Sequence, residues 1–161
     1  MPTFRRDRAT LERVKKLAFL VVVVAVALAG MMLVLAANRY RVSAHLTVRV
    51  EVPKPIGRTK KATGAFTGAY VVQGKALKLN WKLSFKHLTG AATAATLRQG
   101  KPGYIGDQVT VLCKPCKSGT GATTLMRTAV LKAIRAGQTF VMIYTKRNPA
   151  GEIRGQIRVK G

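Results

Sequence analysis

The sequence predicts a mainly β fold: an antiparallel sandwich or barrel with one short helix, preceded by one N-terminal transmembrane helix. Three observations predict it. Apolar and polar residues alternate with period two over several stretches. Turn-forming Gly and Pro clusters separate those stretches. One early run is apolar throughout.

The first 16 residues hold Arg5, Arg6, Arg8, Arg13, Lys15 and Lys16 against Asp7 and Glu12. Residues 17–37 (LAFLVVVVAVALAGMMLVLAA) carry no charge and no strong polar group. As a helix this run is about 31 Å long, enough to cross a hydrocarbon core. The cations before it predict a cytoplasmic N-terminus and an exported remainder. A cleaved signal peptide is the competing reading, with a small-x-small site at Val34-Leu35-Ala36, and it would make the protein secreted. The apolar run exceeds the usual signal-peptide length, which favours an uncleaved anchor or signal. No cysteine follows to take a lipid, and Asp7 after Arg5-Arg6 makes a poor twin-arginine signal. The expected organisation is therefore a basic cytoplasmic segment at 1–16, a single-pass anchor at 17–37, a linker at 38–43 and an extracytoplasmic domain at 44–161.

Within that domain, residues 46–52 place Leu46, Val48, Val50 and Val52 inward, with Thr47, Arg49 and Glu51 outward. Residues 76–86 (ALKLNWKLSFK) give the longest alternation. Leu77, Leu79, Trp81, Leu83 and Phe85 share one face; Lys78, Asn80, Lys82, Ser84 and Lys86 share the other. Turn signals fall at Thr63-Gly64, Thr67-Gly68, Thr89-Gly90, Lys101-Pro102-Gly103, Ser118-Gly119 and Pro149-Ala150-Gly151. Residues 128–136 predict the one helix: Val130, Leu131 and Ile134 form a stripe, Thr128 caps the start, and Gly137 ends it. A strand is expected at 139–145. At the C-terminus Ile153, Ile157 and Val159 alternate with Glu152, Arg154, Gln156 and Arg158. In that phase Glu152 lies on the polar face, paired with a cation on its own or a neighbouring strand. Gly155 lies inward, where a missing side chain admits a close neighbour.

The chain has 29 Lys+Arg and 5 Asp+Glu. Six cations and two carboxylates precede the apolar run, leaving 23 basic residues against Glu51, Asp107 and Glu152. Such an excess favours anionic partners: anionic lipid, phosphate-bearing wall polymer or nucleic acid. Lys78, Lys82 and Lys86, on one strand face, are the candidate contacts. Nucleic acid is disfavoured because few aromatics accompany the lysines and base-stacking platforms are not evident. Another envelope protein is the remaining partner class.

Cys113 and Cys116 form Cys-Lys-Pro-Cys, and in an oxidising compartment they predict a local disulfide. Thiol exchange is the alternative, since Lys114 and Lys117 favour a thiolate, but a loop rather than a helix follows the pair. Zinc needs two further ligands, and neither His45 nor His87 is nearby. No metal or other cofactor is expected. The three exported carboxylates read as surface groups rather than an acid–base pair. No serine sits in a nucleophile elbow, and no GxxxxGK[ST] loop is present. The chain reads as a non-enzyme.

Three stretches taken in order, HLTGAATAAT (87–96), LCKPC (112–116) and AGQTFVMIYTKRNPAGEIRGQI (136–157), resemble the CHRD domain. That family takes its name from chordin and is widespread in bacterial exported proteins. Glu51-Val52-Pro53 extends the resemblance to roughly 44–161. It implies an extracellular β-sandwich-like domain, immunoglobulin-like or superoxide-dismutase-like, with no established catalysis. It also marks Glu51, Gly90, Gly151, Glu152, Arg154, Gly155 and Gln156 as structural motif residues. The family's pattern usually has histidines at three positions where this chain has Thr96, Arg98 and Tyr144. Three imidazoles on neighbouring strands suit a metal ion, and threonine and arginine do not. The replacements are expected to hydrogen-bond across strands; a small anion site is the alternative. The overall reading is a membrane-anchored structural or interaction module of the cell envelope, its basic face toward anionic surfaces. The competing function is an envelope redox or metal-handling protein using Cys113 and Cys116.

Overall fold

The computed structural model describes residues 13, 15–19, 21, 39–73 and 76–160. The chain divides into two units, 1–38 and 39–161. In the first, Arg13, residues 15–19 and Val21 are helical. Among the described residues no helix is long and apolar enough to cross a membrane. Most of the anchor expected at 17–37 lies outside the described residues.

The second unit is mainly β and antiparallel. Its elements are β1 (Arg39–Thr47), a 3-10 turn (Val48–Val50), β2 (Thr63–Gln73), β3 (Ala76–Lys86), β4 (Ala92–Gln99) and β5 (Asp107–Cys113). They continue with β6 (Gly119–Met126), α1 (Arg127–Arg135), β7 (Thr139–Thr145), β8 (Ile153–Gln156) and β9 (Arg158–Lys160). The described strands form one sheet in the order β5-β4-β7-β8-β1-β2-β3-β6, with β9 also paired to β1. The end strands β5 and β6 come within 8 Å between Cα atoms without forming a ladder. The result is a nearly closed barrel made from one continuous sheet.

Alternation fills the barrel. Val42, Ala44 and Leu46 of β1, Leu77, Leu79, Trp81 and Leu83 of β3, and Val141 and Ile143 of β7 are buried in one core. Each large aliphatic side chain among them contributes about 1.5–3 kcal/mol on leaving water. Val130 and Ile134 of α1 join that core.

The turns expected at Thr63-Gly64 and Thr67-Gly68 do not form: both pairs lie inside β2, where the glycines let the neighbouring strands and side chains come close. Two boundaries also differ from the sequence reading. The segment 38–43 is not a linker from Arg39 onward, because residues 39–47 pair continuously with β2. Nor is 46–52 one strand. The chain leaves the ladder after Thr47, and the 3-10 turn shifts the phase. Val50 is then 48% exposed and Glu51 fully buried, the reverse of simple alternation.

The outside of the sheet is handled in two ways. Over β4, β7 and β8, side chains facing away from the core are buried as well: Thr96, Phe140, Met142 and Arg154. The segments after β1 and between β4 and β5 lie over them. On β1, β2, β3 and β9, outward residues such as Arg41, Thr67, Lys82 and Lys160 remain at the surface.

Candidate functional site

The C-terminal motif is a knot of buried polar groups. Glu152 is fully buried just before β8. Its Oε1 accepts the Thr89 amide (2.6 Å), and its Oε2 accepts the hydroxyls of Thr89 (2.5 Å) and Thr145 (2.6 Å) and the Asn148 amide (3.1 Å). Burial by itself would raise the Glu152 pKa. The donors from Thr145, Thr89 and Asn148 outweigh that and hold it below the ordinary carboxylate value. Asn148 extends the knot to the segment after β1, with Ile56 N–H donating to Asn148 Oδ1 at 2.7 Å. Glu152 is therefore not the exposed, cation-paired group expected from alternation. It precedes the strand rather than lying in it, so strand phase does not apply, and it bonds neutral donors. The two most specific motif segments, Leu-Thr-Gly and Gly-Glu, meet through Thr89 and Glu152.

Arg154 and Gln156 act on the loop between β4 and β5. Arg154, 1% exposed, donates to the carbonyls of Tyr104 and of Lys101 (3.0 Å). Its guanidinium lies 3.4 Å from the centre of the Phe140 ring, a cation–π contact. Gln156 Nε2 donates to Gly100 O (2.9 Å) and Gly137 O (2.7 Å). The outward face of β8 is therefore a clamp on backbone carbonyls rather than a solvated surface. Between the two, a Cβ on Gly155 would stand 2.5 Å from His45 O, so only glycine lets β1 approach this closely.

Thr96, Arg98 and Tyr144, the positions that the family resemblance singled out, come together. Thr96 Oγ1 and Tyr144 OH are 3.0 Å apart, and Arg98 Nη1 donates to Tyr144 OH at 3.2 Å. Arg98 also donates to Ile105 O (3.3 Å) and Gly106 O (2.6 Å). Its donors are thus engaged with protein, which favours the structural reading over an anion site. Among the described residues no group of three or more His, Cys, Asp or Glu is placed to hold a metal ion.

Beside this cluster lies Glu51, fully buried and not outward as alternation placed it. Val52 N–H donates to its Oε1 at 3.0 Å, while Oε2 has no hydrogen-bond partner. Gly151, at φ +128°, leaves the room it needs: a Cβ there would stand 2.9 Å from Glu51 Cδ and from Met142 Sδ. Burial raises the Glu51 pKa to about 7, against the lowering effect of the Val52 amide and the charges of Arg154, Arg98 and Lys54. Burial likewise lowers the Arg154 pKa, with Glu51 opposing.

Cys113 and Cys116 form a disulfide of 2.04 Å between β5 and β6. Cys116 is buried within the hydrophobic core. Gly90 has open space where a side chain would stand, and nothing in the structure explains its place in the motif.

The uncovered face of the barrel carries exposed cations from β1, β3 and β9. Lys78, Lys82 and Lys86 are all exposed along β3. Lys82 faces Thr67, and Asn80 faces Ala69, across the β2–β3 ladder. Thr67 and Ala69 in turn face Ser43 and Arg41 of β1, which face Arg158 and Lys160 of β9. Two lines of cations thus flank a strip of small side chains. A trough of about 780 Å³ crosses this face from β9 over β1, β2 and β3 to β6, lined by Arg41, Thr67, Ala69, Asn80, Lys82, Thr120 and Lys160 among others. No carboxylate is among its lining residues.

Sequence reading found the β3 lysines but missed the opposing line, because Arg41 and Lys160 are over a hundred residues apart and meet only through pairing. It also missed Thr89, Thr145 and Asn148. The Thr89-Gly90 and Pro149-Ala150-Gly151 signals marked turns and said nothing of a shared partner. No curated protein and no solved structure matches the chain. The family model of the CHRD domain matches residues 42–157, well over half the chain. The protein belongs to the CHRD domain family.

Proposed function

We propose that this protein is a membrane-anchored, extracytoplasmic module of the cell envelope. It engages anionic surfaces through the bare basic face of its barrel and catalyses no reaction. The observation that carries the reading is that face: Lys78, Lys82, Lys86, Arg41 and Lys160 are all exposed on it, and no carboxylate lines the trough that crosses it. The apolar run at 17–37 behind six cations supports the anchor and the outward orientation. Glu152 supports a scaffold role, since both of its carboxylate oxygens are used in holding segments together.

The test is binding of the full chain, in a neutral detergent, to an immobilised polyanion. Affinity is expected to fall steeply as salt rises from about 50 to about 200 mM. Lys78→Gln/Lys82→Gln/Lys86→Gln is expected to weaken binding at low salt and to flatten the salt dependence. Salt-insensitive binding, or none, would overturn the electrostatic reading. Resistance of the chain to alkaline extraction from membranes checks the anchor.

A further inference from the structure

We infer that a pocket beside β1, distinct from the trough, binds a small organic phosphate monoester. It shares only Ser43 with the trough and does not depend on the anionic-surface reading above.

The pocket lies where the roofed and bare sides of the sheet meet. β1 pairs with β9 at Ser43 and Arg158, and with β8 at Thr47 and Arg154. These four residues line it, with His45 and Gln156 between the two pairs. Pro102 of the β4–β5 loop and Val50 of the 3-10 turn complete the walls. The cavity measures about 510 Å³, a size that suits a small molecule. No carboxylate is among its described lining residues.

Two features point to an anion. The first is a set of donors with nothing to bond. Among the described residues none hydrogen-bonds to the side chain of Ser43, His45, Thr47 or Arg158. The Arg98 cluster differs, because its guanidinium is taken up by Tyr144 and two loop carbonyls. The second feature is a buried cation without a counter-ion. Arg154 is 1% exposed, its hydrogen bonds go to neutral oxygens, and no described carboxylate pairs with it. Glu51 acts on it only through its charge, and burial pushes the Glu51 pKa up to about 7. A cation removed from water needs compensation, and an anion in this pocket supplies it.

Strand spacing sets how the ligand lies. Ser43, His45 and Thr47 are successive outward positions, about 6.8 Å apart along β1. Arg158 stands opposite Ser43, so Arg158 and His45 are diagonal neighbours. One oxyanion fits between them, within reach of the Ser43 hydroxyl. A guanidinium fork, an imidazole N–H and a hydroxyl can then each take one of the three terminal oxygens of a phosphate. With Arg158 and Arg154 both lining the pocket, a dianion is matched better than the single charge of a carboxylate. The cavity continues past Thr47 to Val50 and Pro102, and Val50 is 48% exposed. That apolar end with one hydroxyl suits a short hydroxylated carbon chain.

Calorimetric titration of the full chain in neutral detergent tests the site. The probes are glycerol phosphate, inorganic phosphate, glycerate and phosphatidic acid vesicles. Glycerol phosphate is expected to saturate a single site, more tightly than glycerate or inorganic phosphate. Arg158→Gln and His45→Ala are each expected to lower its affinity about tenfold. Lys146→Gln removes an exposed charge outside the pocket and is expected to change affinity less than about twofold. Vesicle binding without glycerol phosphate binding, lost in Arg158→Gln, would support the site and assign the monoester to a lipid headgroup.

Glycerate binding as tightly as glycerol phosphate would overturn the phosphate assignment. Inorganic phosphate binding as tightly would overturn the organic body. Equal losses from Arg158→Gln and Lys146→Gln would overturn the pocket in favour of diffuse charge. No binding of any probe would overturn the inference and leave the anionic-surface reading, measured with its own polyanion, standing. Unfolding curves of Arg158→Gln and His45→Ala that match the parent exclude misfolding as the cause of a loss.

Discussion

Replacing Glu51 with glutamine should stabilise this protein at alkaline pH and leave it unchanged at acid pH. Glu51 is fully buried, receives one backbone hydrogen bond from Val52, and has an unpartnered Oε2 against Gly151. Burial raises its pKa from 4.5 to about 7 in the folded chain. The folded state therefore holds this proton more tightly than the unfolded state does. The resulting stability is fully present below the unfolded carboxyl pKa and is lost as pH rises through about 7. The difference of about 2.5 pKa units corresponds to about 3 kcal/mol, or roughly 10 °C in Tm for a domain of this size. A glutamine side chain keeps an acceptor for the Val52 amide and carries no charge at any pH. Chemical unfolding of the full chain in neutral detergent, followed by Trp81 fluorescence, measures the effect. Near pH 4 the variant and the parent should unfold together; near pH 8.5 the variant should be more stable by about 3 kcal/mol. All other titrating groups cancel in the difference. If Glu51→Gln were less stable than the parent near pH 8.5, Glu51 would be acting as a needed ionised partner of Arg154, and the reasoning from burial would fail.

Glu152 should behave in the opposite sense. Its folded pKa is depressed, so its stabilisation holds above the ordinary carboxylate range and disappears as pH falls through the folded value. Glu152→Gln turns an amide group toward donors that need an acceptor and should cost about 2–4 kcal/mol near neutral pH, with a flatter acid limb in unfolding curves. Gly155→Ala places a methyl group against the His45 carbonyl, where backbone cannot yield, and should cost about 3 kcal/mol or more by the same unfolding measurement. Arg154→Lys loses the paired carbonyl bonds and the Phe140 contact, so the segment 100–106 should become the first site of limited proteolysis.

The periodic parts of the fold were legible because alternation is a local property. β3 and β7 fall at Ala76–Lys86 and Thr139–Thr145, as the pattern predicts. Legibility failed where a residue's neighbours come from distant segments. Glu51 and Glu152 look like solvated carboxylates in sequence, yet both lie just outside strands, where alternation has no authority. Arg154 does occupy an outward position of β8, but outward is not exposed when the β4–β5 loop returns over the strand. The start of β1 was hidden for a different reason: Arg39, Arg41 and the small residues Ser43 and Ala44 dilute the apolar signal of Tyr40 and Val42. Resemblance identified which residues matter at the C-terminus, and the structure supplies what they touch.

The burial of the carboxylates and the charge of the surface are two sides of one arrangement. Residues beyond 37 contain three carboxylates, and two of them, Glu51 and Glu152, are fully buried. Only Asp107, at the start of β5, is exposed to offset the surface cations. The outside of the barrel is therefore more positive than composition alone implies. The sheet separates the two roles in space. β4, β7 and β8 carry the motif and are roofed by loops whose carbonyls are held by Arg98, Arg154 and Gln156. β1, β3 and β9 carry unroofed cations, and together with β2 they hold almost none of the motif residues. A motif confined to the roofed side preserves the fold, while the bare side is free to change its charge without disturbing the core, because its side chains touch solvent. On the proposed anionic-surface reading, partner choice would belong to outward residues such as Arg41, Lys82 and Lys160. Substitutions there should alter what the barrel binds and leave its unfolding free energy within about 0.5 kcal/mol of the parent.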